Sequence, residues 1–136
     1  MGYIRYFPED NTEKSKKLKE MIEEDFRKLN KKFHKKLKAY LNYMNEEGAS
    51  YVFEKMKEER GCKHSNKTIV EIDANFYELR VPKQSKMGVF RVYFTIYPDR
   101  QRIMILDAEY KTEKKPKRLE SAKRKLDLLR KEVGWK

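Results

Sequence analysis

The amino-acid sequence predicts an α+β fold. A short aromatic segment at the N-terminus precedes a long stretch of helical periodicity, three segments of strand-like alternation and a final helical segment. The order strand, helices, three-stranded meander, helix is typical of an α+β domain. A chain of 136 residues is close to the usual size of one domain, so we expect residues 1–136 to form a single unit.

The N-terminal half is predicted to be mostly helical. Residues 2–7 have the composition of a short strand that ends at Pro8. Apolar residues then recur at steps of three and four, which places one apolar stripe along a helix: Leu18, Ile22, Phe26, Leu29, Phe33, Leu37, Tyr40 and Met44. Thr12 is a suitable N-cap for this stretch, and Gly48 is a natural stop.

The stretch from residue 12 to residue 47 is long for one helix in a small domain. Two antiparallel helices that break near Asn30 would bury the apolar stripe better. We expect a short helix at 51–60 and a loop at 61–67 to follow.

The C-terminal half is predicted to contain a meander and a helix. Residues 76–81, 89–97 and 102–110 alternate like strands, and the short connections between them predict antiparallel hairpins. Pro116 is expected to open the last helix, and Gly134 is expected to end it.

The predicted register of the first hairpin places Arg80 opposite Arg91 and Glu78 opposite Tyr93. Two opposed arginines repel each other by up to about 1 kcal/mol. A bound anion would relieve that repulsion, and so would neighbouring carboxylates. Glu78 is close along the strand, and one register of the second hairpin places Asp107 opposite Arg91. A shift of one residue would replace Asp107 with Ala108.

Positive charge is abundant and unevenly placed. The chain has 34 Lys and Arg against 22 Asp and Glu, a net charge of +12. Seven basic and no acidic residues lie between Arg27 and Leu41, and residues 111–136 carry eleven basic against four acidic. The basic stretch 111–118 is either a solvated turn or a phosphate-binding rim beside the arginines, with Tyr93 and Tyr110 available to stack on bases.

Several other classes of protein receive no support from the sequence. No apolar run approaches the roughly 18 residues that span a bilayer, and no secretory leader is recognisable, so we expect a soluble, cytoplasmic protein. Cys62 and His64 are too few for a zinc site, and no glycine-rich phosphate loop is present. We expect no metal and no cofactor. His34, which lies between lysines, is expected at the surface.

Three ordered motifs resemble those of a known family. They are Phe76-Tyr77-Glu78-Leu79-Arg80-Val81, Gly88-Val89-Phe90-Arg91-Val92-Tyr93-Phe94 and Lys111-Thr112-Glu113-Lys114-Lys115-Pro116. In this order and spacing they resemble the RelE/HigB superfamily of toxins, and within it the phage-derived, HigB-like branch. The similarity covers about residues 70–131, and residues 25–48 match the helical hairpin of that family more loosely.

The resemblance implies a toxin of a type II toxin–antitoxin system. Such a toxin cleaves mRNA without metal, often on the ribosome, through attack of the RNA 2′-hydroxyl on the adjacent phosphate, and an antitoxin silences it. The antitoxin is expected to be of the helix-turn-helix type. The resemblance assigns catalysis to Arg91, Lys111 and Arg80, while Tyr93, Tyr110, Lys114, Lys115, Lys117 and Arg118 are the residues expected to bind RNA.

Three alternatives remain open at this point. Proteins of the related ParE branch share the fold but inhibit DNA gyrase, so the fold alone does not decide the activity. A basic nucleic-acid-binding protein, or an interaction protein, of a phage or mobile element would also fit the charge.

Overall fold

The computed structural model describes residues 2–9, 12–111 and 117–132 and confirms the α+β class. Its strands are β1 (Ile4–Tyr6), β2 (Ile69–Asp73), β3 (Phe76–Val81), β4 (Val89–Ile96) and β5 (Ile103–Lys111). Its α-helices are α1 (Glu13–Glu20), α2 (Phe26–Leu29), α3 (Lys31–Glu47), α4 (Ala49–Glu58) and α5 (Leu119–Glu132). A π-helical turn, Met21–Asp25, joins α1 to α2, and a 3₁₀ turn, His64–Asn66, precedes β2.

The predicted helix start and helix break are both confirmed. Thr12 caps α1 through a capping box, in which its hydroxyl accepts from the Ser15 amide and the Ser15 hydroxyl accepts from the Thr12 amide. At Asn30 the backbone leaves the helical region, with φ −161° and ψ 96°, and the Asn30 side chain caps α3 by accepting from the Phe33 amide at 3.0 Å. These local side-chain bonds explain why a continuous apolar stripe folds into separate helices.

Gly48 ends α3 as predicted, and the reason lies in its backbone. Its φ is +67°, and a Cβ atom at this position would lie 2.5 Å from the carbonyl oxygen of Gln101. That carbonyl accepts from the Ala49 amide at 2.9 Å, so the start of α4 is fastened to the β4–β5 turn. Only glycine permits this close approach without strain.

The sheet has five strands in the order β1-β5-β4-β3-β2. The three predicted meander strands form its centre as antiparallel pairs. The predicted N-terminal strand is present at one edge, where it pairs in parallel with β5. At the other edge β2 pairs with β3. Residues 69–73, which form β2, are assigned to no element in the analysis of the sequence.

The register of the first hairpin is confirmed, and the register of the second is corrected. Arg80 faces Arg91, and Glu78 faces Tyr93. In the second hairpin Arg91 faces Glu109 and Tyr93 faces Asp107, so neither Asp107 nor Ala108 lies opposite Arg91. The β4–β5 turn pairs Tyr97 with Arg102, which is one residue away from the register that would place Asp107 opposite Arg91. A bulge beside Tyr93 and Phe94 shifts the pairing by one more residue, so that Glu109 lies opposite Arg91.

Each face of the sheet carries its own core. The larger core lies between the sheet and the N-terminal helices, and its sheet residues include Leu79, Phe90, Val92, Phe94, Ile103 and Ile105. The smaller core lies under α5 on the opposite face and contains Phe7, Phe76, Tyr93, Met104, Leu106, Ala122, Leu126 and Leu129. Because α5 covers only part of that second face, charged side chains occupy the remainder.

Candidate nucleic-acid interface

The charged remainder of the α5 face contains the predicted arginines. We call it the charged face, and it consists of Glu78, Arg80, Arg91, Glu109 and Lys111. Strand pairing brings these residues together, because Arg80, Arg91 and Glu109 lie side by side across β3, β4 and β5, while Lys111 lies opposite Val89, two residues before Arg91. Three cations and two carboxylates therefore share this face.

Arg80 is buried, and its Nε and Nη2 atoms are engaged by the protein backbone. Its Nε and Nη2 donate to the Lys67 carbonyl at 3.1 and 2.6 Å, and Nη2 also donates to the His64 carbonyl. Its side chain is 7% exposed, and its Nε lies 3.8 Å from the Glu78 carboxylate. Burial lowers the pKa of the Arg80 guanidinium, although Glu78 opposes that shift, and nearby Arg91 adds to it. Arg80 thus fastens the segment before β2 to the sheet.

Arg91 is more open than Arg80. Its Nη1 donates to Glu78 Oε2 at 2.8 Å, and its side chain is 18% exposed. Its Nε is buried and has no hydrogen-bond partner among the described residues. A buried donor without a partner is unusual in a folded protein and is destabilising until one is supplied. Glu78 therefore neutralises part of the charge of both arginines, and Arg91 retains hydrogen-bonding capacity.

The two tyrosines assigned to base stacking are both engaged within the fold, Tyr93 completely and Tyr110 in part. Tyr93 is fully buried beneath α5, where its hydroxyl donates to Glu109 Oε2 at 2.9 Å. Burial, together with Glu78 and Glu109, raises the pKa of Tyr93 far above its ordinary value. The Tyr110 ring packs against Phe90, and its hydroxyl donates to the Met87 carbonyl and accepts from Asn30 Nδ2. Tyr110 is only partly exposed.

The basic residues near α5 differ in how far they are exposed to solvent. Lys111 is buried at the end of β5, whereas Lys117 is exposed and Arg118 has a side chain that is 49% exposed. The backbone amides of Lys117 and Arg118 both donate to Glu109, at 3.0 and 2.9 Å. Lys114 and Lys115, which were also assigned to RNA binding, lie outside the described residues.

Asp107 anchors α5 to the sheet. Its fully buried carboxylate accepts from Arg118 Nη2 at 3.0 Å, Ser121 Oγ at 2.8 Å and Lys125 Nζ at 3.3 Å. Burial alone would raise the pKa of Asp107, but these donors and the Ala108 amide outweigh it and hold the pKa below its ordinary value. With Glu109, Asp107 forms the polar half of the α5 attachment.

Sequence reasoning missed Glu109 and misplaced His34. Glu109 belongs to a strand that is buried along nearly all its length, so its partners depend on the bulged register. His34 was expected at the surface but is only 8% exposed, and its Nε2 lies 2.8 Å from the Ile22 carbonyl oxygen in the π-helical turn. The sequence did contain one signal that could have identified Glu109 as a site residue, namely its position as an acidic residue within a mostly apolar strand.

A metal-binding cluster and a membrane-spanning helix are both absent from the part of the chain that the structure describes. Within residues 2–9, 12–111 and 117–132, no three His, Cys, Asp or Glu side chains lie together in a group that could hold a metal ion. Over the same ranges, no helix is long and apolar enough to cross a bilayer. Cys62 is a free thiol at the surface.

Comparisons with protein families, with curated proteins and with solved structures find no significant match to this chain.

Proposed function

We propose that this protein is a toxin-type endoribonuclease that cleaves mRNA without metal. The observation that carries the proposal is Arg91, a partly exposed arginine held in place by Glu78, with an Nε that lacks a partner. A guanidinium of this kind suits a phosphate oxygen, because it binds oxyanions through several N–H donors in a fixed geometry. The three ordered motifs in the sequence support the same assignment.

In the proposed reaction, the 2′-oxygen of a ribose attacks the adjacent phosphorus and the bond from phosphorus to the 5′-oxygen breaks. The 2′-hydroxyl loses its proton and the departing 5′-oxygen gains one, which leaves a 2′,3′-cyclic phosphate and a 5′-hydroxyl. Arg91 would stabilise the charge that develops on the phosphate oxygens, a contribution of several kcal/mol from fixed donors. Lys111 would assist proton movement, and Lys117 and Arg118 would hold the RNA backbone.

The proposed setting is the cytoplasm, with mRNA, alone or on the ribosome, as substrate. A cognate antitoxin of the helix-turn-helix type is the proposed partner protein. The net charge of +12 favours association with any polyanion, so RNA affinity by itself is weak support for cleavage.

A second candidate function is nucleic-acid binding without cleavage. It is favoured by the engagement of Arg80, whose Nε and Nη2 donate to backbone carbonyls, and by the burial of Tyr93. In this alternative Arg80 and Tyr93 are structural, and the exposed cations Lys117 and Arg118 hold the phosphate backbone.

The two candidates are separated by mapping the ends of a defined mRNA after incubation with the purified protein in excess chelator. The reaction is run with and without translating ribosomes, and the products are tested for a 2′,3′-cyclic phosphate. Wild-type protein is expected to give discrete ends, and Arg91→Ala is expected to reduce their yield at least a hundredfold.

Arg100→Ala is the matched control, because Arg100 is exposed in the β4–β5 turn and forms no ion pair with the described residues. It is expected to cleave like the wild type. Cleavage by Arg91→Ala at the wild-type rate would overturn the assignment of Arg91. RNA binding without cleavage under both conditions would establish the second candidate instead.

A further inference from the structure

A groove with a cationic rim lies between α1 and α5, beside the segment that follows β1. We call it the α1–α5 groove, and its volume is about 530 Å³. Its rim consists of Lys14 and Lys17 from α1 and of Arg118, Arg124 and Lys125 from the α5 side. None of the described residues that line it is acidic.

Three of these cations are available to a ligand. Lys14, Lys17 and Arg124 form no ion pair with any described residue, and Lys14 and Lys17 are exposed on α1. The other two, Arg118 and Lys125, share the buried carboxylate of Asp107 behind the groove. Since five positive charges face one carboxylate, the groove carries an excess of positive charge that a negatively charged partner would offset.

The floor of the groove is aliphatic rather than aromatic. Leu128 is 53% exposed there, and partly exposed Met21 lies beside buried Leu18. Phe7 is the sole aromatic residue among the described lining residues; it is 9% exposed, and Lys125 Nζ lies 5.6 Å from its ring centre. Nucleic-acid bases bind by stacking on open aromatic faces, which this floor lacks.

We propose that the α1–α5 groove binds an acidic, amphipathic peptide segment of a partner protein. Leu, Ile, Met or Phe side chains of that segment would cover Leu128 and Met21, and its Asp and Glu side chains would pair with Lys14, Lys17 and Arg124. A cationic rim around an aliphatic floor matches that combination better than it matches RNA. Of the rim residues, Arg118 is shared with the proposed RNA contacts. Lys14, Lys17, Arg124, Met21 and Leu128 are assigned to neither RNA binding nor cleavage, so variants at these positions test the groove separately from the reaction.

A displayed library of random 16-residue peptides, selected against the purified full-length protein, tests the proposal. The enriched peptides are expected to combine Asp or Glu with Leu, Ile, Met or Phe. One enriched peptide is then synthesised with a fluorophore and titrated by polarisation. Lys17→Glu is expected to weaken its binding at least tenfold, and Leu128→Ser at least fivefold.

Lys16→Glu is the matched charge control, because Lys16 is exposed on α1 but does not line the groove. Leu29→Ser is the matched apolar control, because Leu29 is 57% exposed and also lies outside the groove. Both controls should bind the peptide within twofold of the wild type, and circular dichroism should show all four variants folded.

Three results would overturn the proposal. The first is a library that yields no enriched acidic and apolar sequences. The second is equal loss of binding in Lys16→Glu and Lys17→Glu, which would indicate attraction to the overall charge. The third is competition between a labelled 12-nucleotide RNA and the peptide for the groove, with Lys17→Glu weakening the binding of the RNA more than the binding of the peptide. That result would make the groove a nucleic-acid site.

Discussion

Arg80 and Arg91 lie directly opposite each other on β3 and β4, and the carboxylate of Glu78 lies within 3.8 Å of the first and 2.8 Å of the second. Opposed like charges on neighbouring strands are destabilising on their own. Glu78 supplies the opposite charge at a site where both of its partners are mostly buried. The arginine pair is therefore both a structural element of the sheet and the centre of the proposed site.

Replacing Glu78 with Gln should lower the free energy of unfolding by about 3 kcal/mol, because it removes the one described carboxylate that forms an ion pair with both of the opposed, mostly buried arginines. Urea denaturation followed by circular dichroism measures the change. Glu54→Gln is the control, since Glu54 is exposed on α4, and it should stay within about 0.5 kcal/mol of the wild type. If Glu78→Gln matched that control, the carboxylate would not be what holds the arginines together.

Asp107 should make the protein sensitive to acid. Its pKa is lowered in the folded state, so its contribution to stability is complete above the unfolded value of about 4 and is lost as the pH falls towards the folded value. Asp107→Asn should therefore be less stable than the wild type at pH 6, and the difference should shrink between pH 4 and pH 2. Urea midpoints across this range provide the measurement.

Asp127→Asn is the matched control for Asp107, because Asp127 is exposed on α5. Its urea midpoints should follow the wild-type curve at every pH. Hydrogen exchange should also show faster exchange of α5 amides in Asp107→Asn than in Asp127→Asn. A constant gap between Asp107→Asn and the wild type from pH 6 to pH 2 would contradict the assigned role.

Tyr93→Phe should destabilise the fold by about 1 kcal/mol at neutral pH, because the Glu109 carboxylate loses a buried donor. The pKa of Tyr93 is raised in the folded state, so its contribution is present below the unfolded value of about 10 and is lost as the pH rises above it. The difference between variant and wild type should therefore narrow above pH 10. Thermal melts from pH 7 to pH 11 test this, and a gap that widened with pH would refute it.

Gly48→Ala should lower the free energy of unfolding by about 2–3 kcal/mol, since the new Cβ atom would meet the Gln101 carbonyl at a positive φ. Gly61→Ala separates the two causes. Gly61 also has a positive φ, +92°, but a Cβ atom there meets nothing within 4 Å. It should lose only about 1 kcal/mol, and equal losses in a urea comparison would mean that the close approach to Gln101 contributes nothing.

Local features of the sequence determined the α+β class, the Thr12 cap, the break at Asn30, the stop at Gly48 and the Arg80–Arg91 register. Each depends on residues near one another in the chain, such as a side chain that bonds to an amide three residues away or a short hairpin turn. The pattern of residue types carries that information directly.

Only the tertiary structure decided the pairing of β1 with β5, the addition of β2, the bulge that places Glu109 opposite Arg91, and the burial of Tyr93 and His34. These features depend on segments that are distant in sequence. A bulge moves the strand partners by one residue with little change in the apolar pattern, and burial depends on which helix covers a face. The sequence could therefore name Glu78, Arg80, Arg91 and Lys111 of the charged face but not Glu109. The packing of α5 and the bulge determined the partners and the exposure of these side chains.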